Sequence, residues 1–216
     1  MFANRKDAAI QLAKALEKYQ GKGVIVLGIP RGGAETAYYV AKHLQAELSL
    51  LISRKLGHPG NPEYAFGALA EDGTIYLNPN AESDLSQETI DEVVGQQKKE
   101  IERRIKMLRK GKPLPDLKNR TVILVDDGIA TGATIFAAIK MCKNQGAGKI
   151  IVAAPVSSAG KEEKILKEAD EAVILRKPSF FYSVSQAYES FDNLTDMEAV
   201  GFMEKWEKEQ STPEPS

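Results

Sequence analysis

The stretch VILVDDGIATGAT, residues 122–134, places two adjacent carboxylates where an apolar run gives way to small residues and threonines. The apolar run is typical of a buried strand. Successive strand side chains point to opposite faces, so Asp126 and Asp127 can hold different atoms of one ligand. The small residues let backbone amides converge and open a helix, whose first N–H groups and dipole favour anions. With the hydroxyls of Thr131 and Thr134, the pattern predicts a phosphate beside a polyhydroxyl group.

Two other interpretations of this stretch compete. An apolar strand that ends in two aspartates could be the metal-binding strand of a nucleotide triphosphatase, but that requires a phosphate loop of the form GxxxxGK[ST], and the sequence has none. The strand could also end without a ligand, with Asp127 capping a turn. That explanation accounts for neither Asp126 nor the spacing of the threonines.

A second glycine-rich turn follows an earlier apolar run. Pro30, Arg31, Gly32 and Gly33 stand between a predicted strand over residues 24–29 and a predicted helix that starts at Ala34. Such a turn can meet an anion, and Arg31 supplies a fixed charge and a fork of donors. Alternatively, the Arg31 side chain simply points to solvent.

The elements that would position these residues alternate between strand and helix. Continuous apolar runs predict strands over residues 24–29, 48–52, 121–125, 149–156 and 172–175, with amphipathic helices between them. A hairpin is predicted to turn at Asp72 and Gly73, and Asn4 is predicted to cap an N-terminal helix. The pattern predicts an α/β fold with a central, mainly parallel sheet flanked by helices.

A long predicted helix, lined by apolar residues from Ile90 to Leu108, has a basic polar face. Such a face could contact nucleic acid, but Glu100 and Glu102 dilute its charge, so we predict a solvated face and no nucleic-acid partner. The basic residues of this face are Lys98, Lys99, Arg103, Arg104, Lys106 and Arg109.

Composition excludes several classes of protein. The chain has 216 residues, 43% of them hydrophobic, and a net charge of −1, which suits one good-sized domain and argues against an anionic membrane as partner. No apolar run reaches the ~18 residues that a membrane span needs, and charges interrupt the N-terminus, so we expect no signal peptide. One cysteine, Cys142, predicted to be buried, excludes an internal disulfide framework. These features predict a cytoplasmic protein.

On these motifs, the sequence resembles the type I phosphoribosyltransferases. The stretch at residues 122–134 is similar to the ribose-phosphate-binding motif of that family, and the order of elements over residues 24–175, about seven-tenths of the chain, follows it. The segments LGIPRGG, RKLGHPGNPE and ALAEDG together resemble a bacterial subgroup whose acceptor is unassigned. The family uses 5-phosphoribosyl-1-pyrophosphate (PRPP) and Mg²⁺.

The resemblance implies a role for each motif. Asp126 and Asp127 would hold the ribose 2- and 3-hydroxyl groups, directly or through the waters of the metal, with Asp127 among the catalytic residues. The turn at residues 30–33 would form the pyrophosphate loop, which in this family often has a strained or cis peptide, so we predict backbone strain near Arg31 and Gly32. The 5-phosphate would lie against Gly128, Ile129, Ala130, Thr131, Gly132, Ala133 and Thr134.

The segment at residues 54–67 is polar and rich in glycine and proline, and it is longer than a simple connection between two elements needs to be. In the family a flexible loop at this place closes over the reaction and excludes water. Arg54 and Lys55 would neutralise the departing pyrophosphate as catalytic residues. His58 is expected to move with the loop rather than to transfer a proton.

The acceptor is the least specified part of the prediction. In 6-oxopurine enzymes an acid stands at the position that matches Ala130, so hypoxanthine and guanine are not expected. Residues 176–206 resemble the hood of purine enzymes, with Phe181 as the residue that would stack on the acceptor. Phe180, Phe181 and Tyr182 could equally serve as core or as a dimer contact. The expected division is a core over residues 1–175, this hood, and a disordered tail over residues 207–216.

The resemblance implies a homodimeric pentosyltransferase of nucleotide metabolism, which moves the ribose 5-phosphate group of PRPP to a nitrogenous acceptor such as a nucleobase and releases pyrophosphate. The alternative is a PRPP-sensing regulatory or binding protein without turnover. Arg31, Gly32 and Gly33 together with a basic loop favour the enzyme, because a sensor need not expel pyrophosphate.

Overall fold

The protein folds around a five-stranded parallel sheet. A computed structural model describes residues 1–79, 81 and 85–211, without the side chains of Pro62 and Glu63. The elements in chain order are α1 (Arg5–Ala15), β1 (Ile25–Gly28), α2 (Gly32–Leu44), β2 (Glu47–Leu50), β3 (Ser53–His58), β4 (Asn61–Ala70), β5 (Ile75–Leu77), α3 (Gln87–Arg109), β6 (Thr121–Val125), α4 (Ala133–Asn144), β7 (Lys149–Val156), α5 (Lys161–Leu166), β8 (Glu171–Arg176) and α6 (Asp196–Ser211). Short 3-10 helices lie at Glu17–Tyr19 and Val184–Ala187.

The strand order of the main sheet is β2-β1-β6-β7-β8, and every neighbouring pair is parallel. Gly28, the last residue of β1, lies opposite Val125 of β6 on one side and Leu50 of β2 on the other. The carboxyl ends of β1 and β6 are therefore in register, and the segments that leave them start side by side. A second, antiparallel sheet has the order β3-β4-β5.

Both faces of the main sheet are covered, which explains its continuous apolar strands. Leu27 and Leu124 face a core shared with α4, whereas Val26 and Ile123 face a core shared with α2. All four side chains are fully buried. The predicted α/β fold with a parallel sheet between helices is confirmed.

Residues 54–67, expected as a long polar loop, are instead part of two strands and the turn between them. The segment forms the hairpin of β3 and β4, with register shifts around Gly57. Leu56 and Phe66 provide the physical reason, because both are buried against the same apolar cluster as Ile90 of α3. The turn at Asp72 and Gly73 is confirmed between β4 and β5.

The polar face of α3 is only partly solvated. Lys98, Lys99 and Lys106 are exposed as predicted, but Arg104 and Arg109 are buried. Arg109 forms an ion pair with Glu71 in the β4–β5 turn and donates to the carbonyl oxygen of Leu50 at 2.9 Å. The prediction of a solvated face is therefore wrong at these two arginines. Arg109 is covered by β2 and the β4–β5 turn, and Arg104 by the start of α6, where Asp196 lies 3.7 Å from its guanidinium.

Residues 207–211 were expected in a disordered tail but belong to α6. Glu207 pairs with Lys110 at 2.7 Å, and Glu209 accepts a hydrogen bond from Tyr38 Oη at 2.7 Å. The Trp206 ring also lies edge-on to Tyr38, with centroids 6.3 Å apart. These contacts give the chain end the partners that its sequence does not reveal. The remainder of the predicted tail, residues 212–216, lies outside the described residues.

Three smaller predictions concern single residues or membrane spans. Asn4 caps α1 by accepting from the amide of Asp7 at 2.9 Å, as predicted. Cys142 is buried as predicted, and burial raises the pKa of its thiol to about 12. Within the described ranges, no helix is both long enough and apolar enough to cross a bilayer.

Candidate active site

The two adjacent acids lie at the carboxyl end of β6. Asp126 accepts a hydrogen bond from the backbone amide of Asp127 at 2.8 Å through Oδ1. Burial holds the pKa of Asp126 well above its usual range, and the negative charge of Asp127 raises it further. Asp126 is therefore a carboxylate whose charge the surrounding protein leaves largely uncompensated.

Asp127, in contrast, is paired with Arg5 of α1. Arg5 Nε donates to Asp127 Oδ2 at 2.7 Å, and the side chains are 7% and 13% exposed. The same guanidinium donates to the carbonyl oxygen of Asp192 at 2.7 Å and lies 4.0 Å from the ring centroid of Phe191. Tyr188 Oη donates to the carbonyl oxygen of Asp127. The N-terminal helix and the C-terminal segment thus jointly orient this acid.

Sequence reasoning missed Arg5 as a site residue. It counted only as one of the charges that exclude a signal peptide, and 122 positions separate it from Asp127. No local pattern connects residues so far apart. The structure reveals the role of Arg5, because it shows this charged residue buried in the first turn of α1.

The β1–α2 turn packs directly on the acids. A Cβ atom built on Gly32 would lie 1.7 Å from Asp127 Oδ2, and one on Gly33 would lie 2.7 Å from the carbonyl oxygen of Val125. Only glycine fits at either position without movement of the acids or of β6. The peptide bond between Pro30 and Arg31 is cis. The Arg31 side chain is exposed.

The segment after the acids forms a loop that leads into α4. Gly132, with φ +83°, adopts the left-handed conformation at the N-cap of that helix. The carbonyl oxygen of Ala130 is occupied, because Ser158 Oγ donates to it at 2.9 Å. None of the described residues accepts a hydrogen bond from the backbone amides of residues 130–135. A run of amides is therefore free to bind an anion at this helix start.

The C-terminal segment closes over the beginning of this loop. A Cβ atom on Gly128 would lie 2.4 Å from Val184 Cγ1. Phe181, the predicted acceptor residue, is half-buried and packs at the edge of the cluster that contains Phe2 and Tyr188. Phe180 and Tyr182 are 83% and 84% exposed. The structure thus separates Phe181 from its two aromatic neighbours, which are not core residues.

Comparison with known proteins decides what this arrangement belongs to. The sequence profile of the phosphoribosyl transferase domain matches residues 3–189. The chain belongs to the phosphoribosyl transferase family. Its type I fold is shared with the crystal structure of TT1426 from Thermus thermophilus, at 36% identity and a TM-score of 0.80, over 95% of this chain and 98% of that chain. The resemblance inferred from the sequence is confirmed.

Curated relatives extend the comparison. A Mycobacterium tuberculosis (strain H37Rv) protein with the provisional name of phosphoribosyl transferase is 42% identical over 207 residues, 95% of this chain and 47% of the relative. The chain thus spans about half the length of these curated relatives. A shorter similarity, 44% over 48 residues or 22% of this chain, links it to the transcriptional regulator GfcR of Methanosphaera stadtmanae, of which it covers 24%.

The two basic residues predicted for the phosphoribosyl transferase reaction lie on β3 and differ in environment. Lys55 is exposed, and its charge acts on Asp126, whose pKa it lowers slightly against the stronger effect of burial. Arg54 is half-buried and donates through Nε to Gln97 Oε1 of α3 at 3.1 Å. Burial lowers the pKa of Arg54, as does the positive charge of Arg104. His58 lies at the hairpin tip, where Nδ1 accepts from the amide of Gly60 at 3.0 Å.

The two adjacent acids are the residues of this site that could hold a metal ion. The described part of the chain contains no cluster of three or more His, Cys, Asp or Glu side chains that could hold a metal ion. Mg²⁺ usually keeps several waters and binds through one or two carboxylates plus the phosphates of its substrate. Two adjacent carboxylates suit this mode. Because Arg5 neutralises Asp127, Asp126 is the carboxylate to which a cation would be drawn more strongly.

Proposed function

We propose that the protein transfers the ribose 5-phosphate group of PRPP to a nitrogenous acceptor, with release of pyrophosphate. One observation carries the proposal. The twin acids pack directly on a glycine turn, and the six backbone amides of residues 130–135 that follow them donate a hydrogen bond to none of the described residues. The acids would hold the ribose hydroxyls and the amides would hold the 5-phosphate. The turn at residues 30–33 would meet the pyrophosphate.

The chemistry asks for little covalent participation by the protein. The bond between C1 and the pyrophosphate oxygen loosens and its electron pair leaves with pyrophosphate, so positive charge builds on the ribose ring. The acceptor nitrogen then forms its bond to C1 from the opposite face. Positioning and stabilisation of charge supply the rate. Asp127 is suited to positioning because Arg5 holds its carboxylate and Tyr188 holds its backbone carbonyl oxygen.

Mg²⁺ is part of this proposal. Asp126 would hold the ion, alone or together with Asp127. When bound, it would neutralise the charge of the departing pyrophosphate. Lys55, exposed and electrostatically coupled to Asp126, is better placed to assist than Arg54, which is engaged with α3.

The other assignments complete the proposal. Residues 176–206 would form the acceptor side of the site, with Phe181 stacking on the acceptor. We place the protein in the cytoplasm, as a homodimer in nucleotide metabolism.

A PRPP-sensing regulator without turnover is the second candidate function. The local similarity to the transcriptional regulator GfcR supports it, but that similarity covers 22% of the chain. The glycine turn at Gly32 and Gly33, together with the basic residues of β3, favours the enzyme, because a sensor need not expel pyrophosphate.

The experiment that tests the proposal is an assay of pyrophosphate release with PRPP, Mg²⁺ and a panel of nitrogenous acceptors. We expect release that depends on one class of acceptor and disappears in Asp126→Asn. Tight PRPP binding without release on a broad panel would favour the regulator. Absence of PRPP binding would contradict both candidate functions.

A further inference from the structure

A cleft of about 670 Å³ opens beside the loop at residues 128–134. Ala130 and Thr131 of that loop form one part of its wall, and Ser158, which donates to Ala130, forms another. The cleft is therefore continuous with the proposed 5-phosphate site. Its size falls in the range of ~300–1,000 Å³ that is usual for small-molecule sites.

Three lysines line this cleft without an acidic partner. Lys161 and Lys164 lie on α5, and Lys167 follows it with the same spacing of three residues, so the three share one side of the chain. Among the residues that the structure describes, no carboxylate lies within ion-pair distance of any of them. Glu162 is already paired with Lys177, and Glu168 with Lys143 at 2.8 Å.

The charge of Lys161 is poorly accommodated by the protein alone. Its side chain is half-buried, and burial lowers its pKa, as does the positive charge of Lys164. Like charges that face one cleft repel each other, and a negatively charged ligand would relieve that repulsion. The cleft therefore combines unpaired positive charge with enough volume for a small ligand.

Aromatic side chains form most of the remaining lining, together with Asn78, Pro79 and Glu168, whose charge is paired with Lys143. The rings of Tyr76 and Phe136 stack with centroids 5.0 Å apart and an interplanar angle of 26°. Phe181 and Tyr182 line the cleft as well, and Tyr182 is 84% exposed. An exposed aromatic ring at the edge of a cleft offers a surface on which a flat ligand can stack.

We propose that this cleft binds an aromatic compound that carries ionised carboxylate or phosphate groups. Its ring packs on Phe181 and Tyr182, and its negative groups face Lys161, Lys164 and Lys167. Such a compound could be the acceptor, an assignment that rests on the proposed transferase function, or a nucleotide that binds without reacting. The binding step itself does not depend on that function.

The test compares matched pairs of probes by isothermal titration calorimetry. Orotate and uracil differ by a carboxylate, and ADP and adenosine differ by two phosphates. We expect at least one anionic member to bind about tenfold or more tightly than its neutral partner. In the double variant Lys161→Met/Lys164→Met that binding weakens about tenfold or more, since two charge-assisted contacts are lost.

The matched control is Lys98→Met/Lys99→Met, which removes two exposed charges from α3 and is expected to leave binding unchanged. Thermal unfolding checks that each variant is folded. Equal binding of charged and neutral probes, or equal binding by wild type and the Lys161/Lys164 variant, would overturn the proposal.

A second measurement separates the two sources of the ligand. The anionic probes that bind are incubated with PRPP and Mg²⁺, and pyrophosphate is measured. Release identifies an acceptor, whereas binding without release identifies a ligand that does not react; both outcomes support the cleft. A protein that does not bind PRPP would refute the transferase function, and the probe titrations would then still decide the cleft by themselves.

Discussion

Replacing Gly32 by alanine is expected to break the contact between Arg5 and Asp127. The new Cβ atom would lie 1.7 Å from Asp127 Oδ2 and 2.3 Å from Asp127 Cγ, whereas real Cβ contacts essentially never fall below 3.0 Å. The carboxylate or the turn must therefore shift by about 1.3 Å. When the carboxylate takes up this shift, it leaves the position in which it accepts the 2.7 Å bond from Arg5 Nε.

The magnitude follows from burial. The side chains of Arg5 and Asp127 are 7% and 13% exposed, so breaking the pair leaves two nearly buried charges, each without its partner. Breaking a buried pair in this way costs about 3–5 kcal/mol. Alanine at a helical position returns about 0.5–1 kcal/mol relative to glycine. We expect Gly32→Ala to lower the free energy of unfolding by about 2–4.5 kcal/mol.

Urea unfolding measures this change against a matched control. Gly95 lies inside α3, where an added Cβ meets nothing within 4 Å, so Gly95→Ala is expected to stabilise by about 0.5–1 kcal/mol. The effect of Gly32→Ala should also shrink in an Arg5→Met background, because the contact is already absent there. Equal effects of the two glycine substitutions, or fully additive losses with Arg5→Met, would refute the reasoning.

The remaining predictions concern single side chains. Burial raises the pKa of Asp126 in the folded state, so ionisation of this group makes wild-type stability fall as pH rises from about 4. The substitution Asp126→Asn removes this ionisation. The Asp126→Asn variant should therefore become more stable relative to wild type as pH rises, and a pH-independent difference in urea unfolding would contradict this. Cys142, buried and with its pKa raised to about 12, should react with thiol reagents only on unfolding, and rapid native labelling would show otherwise. Tyr188→Phe should lower the free energy of unfolding by about 1 kcal/mol, because the hydrogen bond from Tyr188 Oη to the Asp127 carbonyl oxygen is lost. An unchanged unfolding midpoint would argue against this.

The parts of the fold that the sequence predicts best are the strands buried on both faces. TVILV and KIIVAAPV correspond to β6 (Thr121–Val125) and β7 (Lys149–Val156) without any shift. A continuous apolar run has only one environment available in a layered α/β protein, which explains the agreement. The position of the acids follows directly, because Asp126 is the first residue after β6.

The hairpin of β3 and β4 could not be predicted in the same way. Its inward-facing residues, Leu56 and Phe66, are separated by glycines, prolines and charges, so the alternation that marks a strand is too short to detect. Its stability comes from packing on α3, which is distant in sequence. Similarly, α6 forms because Trp206 and Glu209 meet Tyr38, a contact between residues far apart in the chain.

The site residues also fall into two groups, those predicted from local motifs and those found only in the structure. Local motifs brought together the acids, the amides and the glycine turn, and the parallel register explains why they meet. Long-range contacts supplied Arg5 on Asp127, Val184 over Gly128, and the lysine cleft. Such contacts depend on how the chain ends fold back over the sheet, which no single motif encodes.

Calorimetric titration of PRPP in the presence of Mg²⁺ tests the central claim most directly. Wild-type protein is expected to bind, and Asp126→Asn/Asp127→Asn is expected to bind at least about tenfold more weakly, because two charge-assisted contacts to the ribose and metal are lost. The exposed variant Lys98→Met should bind as wild type does. Undiminished PRPP affinity in a folded Asp126→Asn/Asp127→Asn variant would contradict the placement of the ribose 5-phosphate group at this edge of the sheet.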